Sequence, residues 1–178
     1  QKLIDAFCCL PGVGPKSAQR MGLHLLERNK NGGLILAKTL EQALESVDKC
    51  SKCRIFTESL ICQICSNEKR NKNQICVVES VSDVFAIEQS NEYMGHYFIL
   101  HGHLSPIDDI GPDELALDLL FSRARESETE EIILATNSTL EGETTSHFIF
   151  DSLKNEQHLK ITKLARGVPL GGELEYVD

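Results

Sequence analysis

The chain has 178 residues, 41% hydrophobic and 25% charged, the composition of an ordinary globular chain of one large or two small domains. No apolar run is long enough to span a membrane and no secretory signal is legible, so neither a membrane partner nor export is expected. A net charge of −9 argues against nucleic acid until it is divided: residues 1–73 carry 12 Lys+Arg against 7 Asp+Glu, a balance of +5, and residues 74–178 carry 6 against 20, a balance of −14. Such a split suggests two faces with different partners.

Residues 2–9 read as a short helix with Leu3, Ile4, Phe7 and Leu10 on one face. Leu10-Pro11-Gly12-Val13-Gly14-Pro15 follows, and Pro15 suits the first turn of a second helix that runs to Arg28 on Met21, Leu25 and Leu26. Asn31-Gly32-Gly33 is expected to end that unit, and a third helix is expected from Leu34 to Val47. Two helices joined by a short glycine turn form a helix-hairpin-helix. Gly12 and Gly14 allow a tight turn and a close approach to phosphate, and the N–H groups opening the second helix can bond its oxygens. Lys16 and Arg20, four residues apart, share one face and can flank the same backbone without reading bases. A plain glycine-capped helical turn is the alternative.

Cys50-x-x-Cys53 and Cys62-x-x-Cys65 are separated by eight residues. Four thiolates at this spacing can converge on one tetrahedral centre, and Zn²⁺ suits them. A shell closed by four sulfurs leaves no open position, so the expected role is structural, one Zn²⁺ per chain. Two disulfides or a redox pair are the alternatives. Cys8, Cys9 and Cys76 are expected to be buried free thiols, a pattern suited to a reducing cytoplasm. Lys69, Arg70 and Lys72 read as a basic linker.

Beyond the linker the period changes. Strands are expected at Ile75–Val78, Tyr97–Leu100, Ile132–Ala135 and Leu159–Leu164, and helices at Asp83–Gln89, from an Asp113 N-cap to about Arg125, and at Glu143–Leu153. Continuously apolar strands alternating with helices imply a buried, mostly parallel sheet, whose working loops lie at the strand C-termini: Glu79-Ser80, His101 to Ser105, and Asn137 to Glu143. His101 and His103 lack an evident third metal ligand and read as structural or as loop polarity. The class is α+β, with expected parts 1–47 helix-hairpin-helix, 48–73 zinc finger and linker, 74–168 an α/β domain, and 169–178 the start of a C-terminal segment. Because the chain opens on Gln1 and stops soon after Gly171-Gly172, trimming at one or both ends is expected.

The order of these parts resembles one family. The hairpin Leu10 to Ala18 and the cysteine knuckle are followed by Ile75-Cys76-Val77-Val78-Glu79-Ser80, Gly102-His103-Leu104-Ser105-Pro106, Leu134-Ala135-Thr136-Asn137, Glu141-Gly142-Glu143 and Gly167-Val168-Pro169-Leu170-Gly171-Gly172-Glu173-Leu174. Together they resemble the bacterial RecR family across essentially the whole chain. The resemblance implies a Toprim fold for residues 74–168. It also implies recombinational DNA repair at single-stranded gaps, with RecO and RecF as partners that help RecA load, sequence-independent binding to single- and double-stranded DNA, and dimers or ring tetramers. A bacterial cytoplasmic location follows, at the nucleoid when on DNA.

Toprim catalysts hold Mg²⁺ with a glutamate after the first strand and an Asp-x-Asp pair after the third. Glu79 matches the glutamate, but the pair falls on Asn137-Ser138-Thr139, and only Glu141 keeps a charge nearby. Losing two carboxylates strips a hard-cation shell. The expectation is a non-catalytic adaptor in which Glu79 and Glu141 serve partner binding. The competing reading is a Mg²⁺-dependent nuclease or primase-like enzyme using Glu79 and Glu141, and a stand-alone zinc-ribbon scaffold is a third.

Overall fold

The computed structural model describes residues 1–164. The Gly167–Leu174 motif, the expected 169–178 segment and the end of the expected 74–168 domain lie outside them. The chain divides into two compact units, Gln1–Val47 and the remainder from Asp48.

The first unit is three helices: α1 (Lys2–Phe7), α2 (Pro15–Arg28) and α3 (Lys30–Ser46). Pro15 occupies the start of α2, as its fixed φ and missing donor favour. The expected stop at Asn31-Gly32-Gly33 does not occur. Instead α2 ends at Asn29, whose side chain accepts from Gly32 N and caps α3, so the two glycines lie inside the first turn of α3. An Asn cap outcompetes a glycine breaker because it satisfies a donor the helix start leaves orphaned. The apolar stripe of α3 is exposed: Leu34 and Leu44 are 71% and 77% accessible. Cys8 and Cys9 are exposed too, against expectation, because α1 is too short to cover them.

The second unit opens on a small antiparallel ribbon, β1 (Asp48–Lys49) with β2 (Phe56–Thr57), and a single helical turn, α4 (Gln63–Ser66). Then come β3 (Asn71–Val78), α5 (Val81–Ser90), β4 (Gly95–Ile99), α6 (Leu117–Ala124), β5 (Glu131–Leu134), α7 (Leu140–Leu153) and β6 (Lys160–Lys163). The four long strands form one sheet in the order β4-β3-β5-β6, every pairing parallel. Alternation divides the side chains of the sheet between two cores. Ile75, Val77, Phe98, Ile132 and Leu134 pack with Leu117, Leu120, Ile149 and Leu153 on the α6–α7 side. Cys76, Val78, Tyr97 and Ile99 pack with Val84 and the four knuckle cysteines on the other.

Three expectations shift. The basic linker is not free, since Asn71 and Lys72 already belong to β3. Arg70 donates to Gly95 O (2.8 Å) and pairs with Glu88. Asp113 does not cap α6, which starts four residues later behind Ala116 in a left-handed conformation (φ 52°). And α7 begins at Leu140 because Thr139 caps it by accepting from Gly142 N.

Candidate functional site

Cys50, Cys53, Cys62 and Cys65 are all buried, and their sulfur atoms lie within 4.8 Å of one another. None is in a disulfide. Sulfurs around a tetrahedral ion with ~2.3 Å metal–sulfur bonds sit ~3.8 Å apart, and Cys53 Sγ and Cys62 Sγ are at 3.4 Å. The knuckle backbone already aims at sulfur: Cys62 N donates to Cys50 Sγ (3.3 Å) and Cys65 N to Cys62 Sγ (3.4 Å). Close packing sets the thiols against each other. Hydrogen bonding to Cys62 and Cys65, with burial, pushes Cys53 above the ordinary thiol range, while hydrogen bonds from Cys53 and Cys65 pull Cys62 below it. A soft divalent cation satisfies all four as thiolates, so this cluster could hold a metal ion. Cys76, outside the cluster, is pushed up to about 12 by burial and then by Asp83, and is inert in the β3 core.

Two arginines fasten the knuckle to the sheet, and no motif announces either. Arg54, in a left-handed conformation (φ 66°), is buried and donates Nη1 to the carbonyls of Ile99, Leu100 and Leu115 and Nη2 to Glu114 O. Arg123 donates Nη1 to Lys52 O (2.7 Å) and Tyr97 O (3.1 Å). Ile99 N donates to Cys53 O (2.9 Å), so the knuckle covers the β4 edge. His101 joins the same contact by bonding Arg54 O through Nε2 (2.7 Å), and burial holds it below the ordinary histidine range.

The hairpin of the first unit is open. Gly12 has φ +78°, a conformation that favours glycine, and a Cβ on Gly12 or Gly14 would meet nothing within 4 Å. Gly14 is the N-cap of α2, and no side chain caps that helix start. Lys16 and Arg20 are exposed and line one shallow recess with Gln19 and His24. The arrangement leaves donors, a helix-dipole terminus and two cations together on one surface.

At the C-terminal end of the sheet the loops after β3 and β5 lock together. Glu79 is 6% accessible. Its Oε1 accepts from Asn137 N (2.9 Å), its Oε2 from Asn137 Nδ2 (2.7 Å), and His103 Nδ1 stands 3.7 Å from Oε2. Thr139 is occupied in capping α7. The two positions where a metal-binding pair would stand thus hold an amide that donates to Glu79 and a hydroxyl that serves a helix. Glu141 is exposed on the first turn of α7, so the structure separates the two glutamates by environment: one is bonded inside the fold, the other faces solvent. Among the described residues, the only group of three or more His, Cys, Asp or Glu placed to hold a metal is the cysteine cluster.

Comparison with known proteins bears on both units. The RecR helix-hairpin-helix profile matches residues 1–44, and the Toprim domain profile matches residues 73–165. The recombination protein RecR of Saccharophagus degradans is 53% identical over 177 residues, covering 99% of this chain and 89% of that protein. This chain belongs to the RecR family. The role that goes with RecR membership is recombination repair. The parallel sheet is the Toprim part of this RecR chain, and the hairpin is its helix-hairpin-helix.

Proposed function

We propose that this chain is a non-catalytic DNA-binding clamp and adaptor in recombinational repair, acting with RecO and RecF to help RecA load at single-stranded gaps in the bacterial cytoplasm. The observation that carries the reading is the open hairpin: an uncapped helix start beside two glycines with free space around them, flanked by exposed Lys16 and Arg20. Backbone N–H groups and cations of this kind bind phosphate without reading bases. The Glu79–Asn137 lock supports the absence of chemistry, because both oxygens of the one matching carboxylate are already bonded. Glu141 presents a charge to a protein partner, and Glu79 contributes by fixing the Asn137 loop that precedes it. The exposed α3 stripe supports assembly into dimers or a ring tetramer. In a ring several weak phosphate contacts act together, which allows a chain of net charge −9 to hold DNA. The cysteine cluster holds Zn²⁺ in a structural role. No described helix is long and apolar enough to cross a membrane.

The test is incubation of the full chain with single-stranded, nicked and supercoiled DNA and Mg²⁺ or Mn²⁺. The substrates are expected to be bound and recovered unchanged. Cleavage or relaxation that Glu79→Ala abolishes would overturn the reading in favour of the Toprim enzyme.

A further inference from the structure

At the opposite end of the sheet from the Glu79–Asn137 loops, where β4 begins and β5 is about to begin, lies a recess of about 210 Å³. His96 lines it. That side chain is 4% accessible, and its Nε2 is the one buried side-chain nitrogen or oxygen with no hydrogen-bond partner among the described residues. A buried polar atom left unpaired costs about 1–3 kcal/mol, so such a site normally awaits a ligand or a water. The other lining groups give the sign of that ligand. Lys52 and Lys72 are exposed at the rim, and Arg123 is buried in the wall, fixed by its bonds to Lys52 O and Tyr97 O. A guanidinium carries donors beyond those two bonds. Glu126 and Glu128 also line the recess and are exposed like the two lysines, so solvent screens all four and the buried Arg123 sets the sign. Burial, and then the fields of Arg123, Lys52, Arg70 and Lys72, hold His96 below the ordinary histidine range. The cations that line the recess, Arg123 in its wall and Lys52 and Lys72 at its rim, favour an anion over a metal cation.

We propose that this recess binds one phosphate-type oxyanion, with His96 Nε2, Lys52, Lys72 and Arg123 as its donors. The site draws on the knuckle turn, β3, the edge strand β4 and α6 at once, so an anion there ties the knuckle to the sheet as the two buried arginines do. Its source is either free phosphate or a phosphate of a nucleic-acid strand, and the chemistry is the same for both.

The experiment uses the full metal-loaded chain with ¹⁵N-labelled histidine, the His96 ring resonance being assigned by its loss in His96→Gln. Sodium phosphate is titrated against sodium chloride at matched ionic strength. The expected result is a saturable shift of the His96 ring with phosphate alone, and an affinity about tenfold weaker in Lys52→Ala/Lys72→Ala, the loss of roughly one charge-assisted contact. An equal response to chloride, the lack of a saturable shift, or an unchanged affinity in the double variant would each overturn the proposal. A single-stranded oligonucleotide added to Lys16→Ala/Arg20→Ala separates the sources. Displacement of phosphate by the strand identifies nucleic acid, and persistence of the phosphate-bound resonance identifies the free anion.

Discussion

Gly142 shows how little room the Toprim loops leave. A Cβ there would stand 2.2 Å from Asn137 O and 2.6 Å from Glu79 Oε1. Both neighbours are themselves fixed, since Asn137 N and Nδ2 donate to that same glutamate. Gly142→Ala must therefore push the β5–α7 loop off Glu79. It is expected to lower stability by about 1–3 kcal/mol, the range for forced overpacking, read as a fall in the chemical-denaturation midpoint. A variant as stable as the parent would show that the loop has slack. At the same scale, Glu79→Ala removes two hydrogen bonds to a charged acceptor and is expected to cost about 2–4 kcal/mol while leaving metal content unchanged. Glu141→Ala, at an exposed position, is expected to stay within about 0.5 kcal/mol of the parent. Equal losses in the two variants would erase the distinction drawn between them.

At the scale of elements, the knuckle belongs to the sheet. Arg54 reaches four carbonyls across loops that its sequence neighbours never approach. Because its φ of 66° is one glycine adopts freely, Arg54→Gly isolates the side chain from the backbone. The expected loss is about 2–4 kcal/mol through unpaired buried carbonyls, with faster release of metal to a chelator. A Gly variant that is neutral or more stable would mean backbone strain outweighs the bonds. The Arg70–Glu88 pair pins α5 to the β4 start. Burial opposes ionisation of Glu88, yet hydrogen bonds from Arg70 and Tyr97 prevail and hold its carboxyl below the ordinary range. A lowered folded value stabilises above the unfolded one and is lost as pH falls through the folded value. Arg70→Ala should therefore lose stability at neutral pH and show a shallower acid-side decline than the parent. Parallel pH profiles for the two would contradict the pairing.

These contacts also mark what the sequence could and could not reveal. Periodicity placed β3 to β6 and their helices, and spacing placed the cysteines. Ends differ where a side chain settles them: Asn29 caps α3 ahead of the glycines expected to break the chain, and Thr139 caps α7 before the expected start at Glu143. Arg70 reads as linker charge and Arg54 and Arg123 carry no signal at all, because their partners are carbonyls or a glutamate 18 or more residues away, and no local pattern encodes such a contact. Asn137 and Thr139 were legible as missing carboxylates. That one of them would occupy Glu79 was not, since it depends on two loops meeting.

At the scale of the whole molecule, the proposed function rests on a basic hairpin carried by a chain that is acidic beyond residue 73. Metal content is the first check: elemental analysis is expected to find about one zinc per chain, and Cys53→Ser is expected to lose both metal and thermal stability. A metal-free protein of unchanged stability would remove the structural role assigned to the cluster. The most direct test of the DNA-clamp account is a DNA-binding isotherm at several salt concentrations for the parent and Lys16→Ala/Arg20→Ala. Each phosphate neutralised contributes about 0.9 to the slope of log affinity against log salt on duplex and about 0.7 on single strands. The account predicts a slope smaller by roughly 1 to 2 for each protomer engaged, similar weakening on every DNA sequence, and unchanged zinc content and oligomeric state. Equal affinity and equal slope for the two proteins would contradict it.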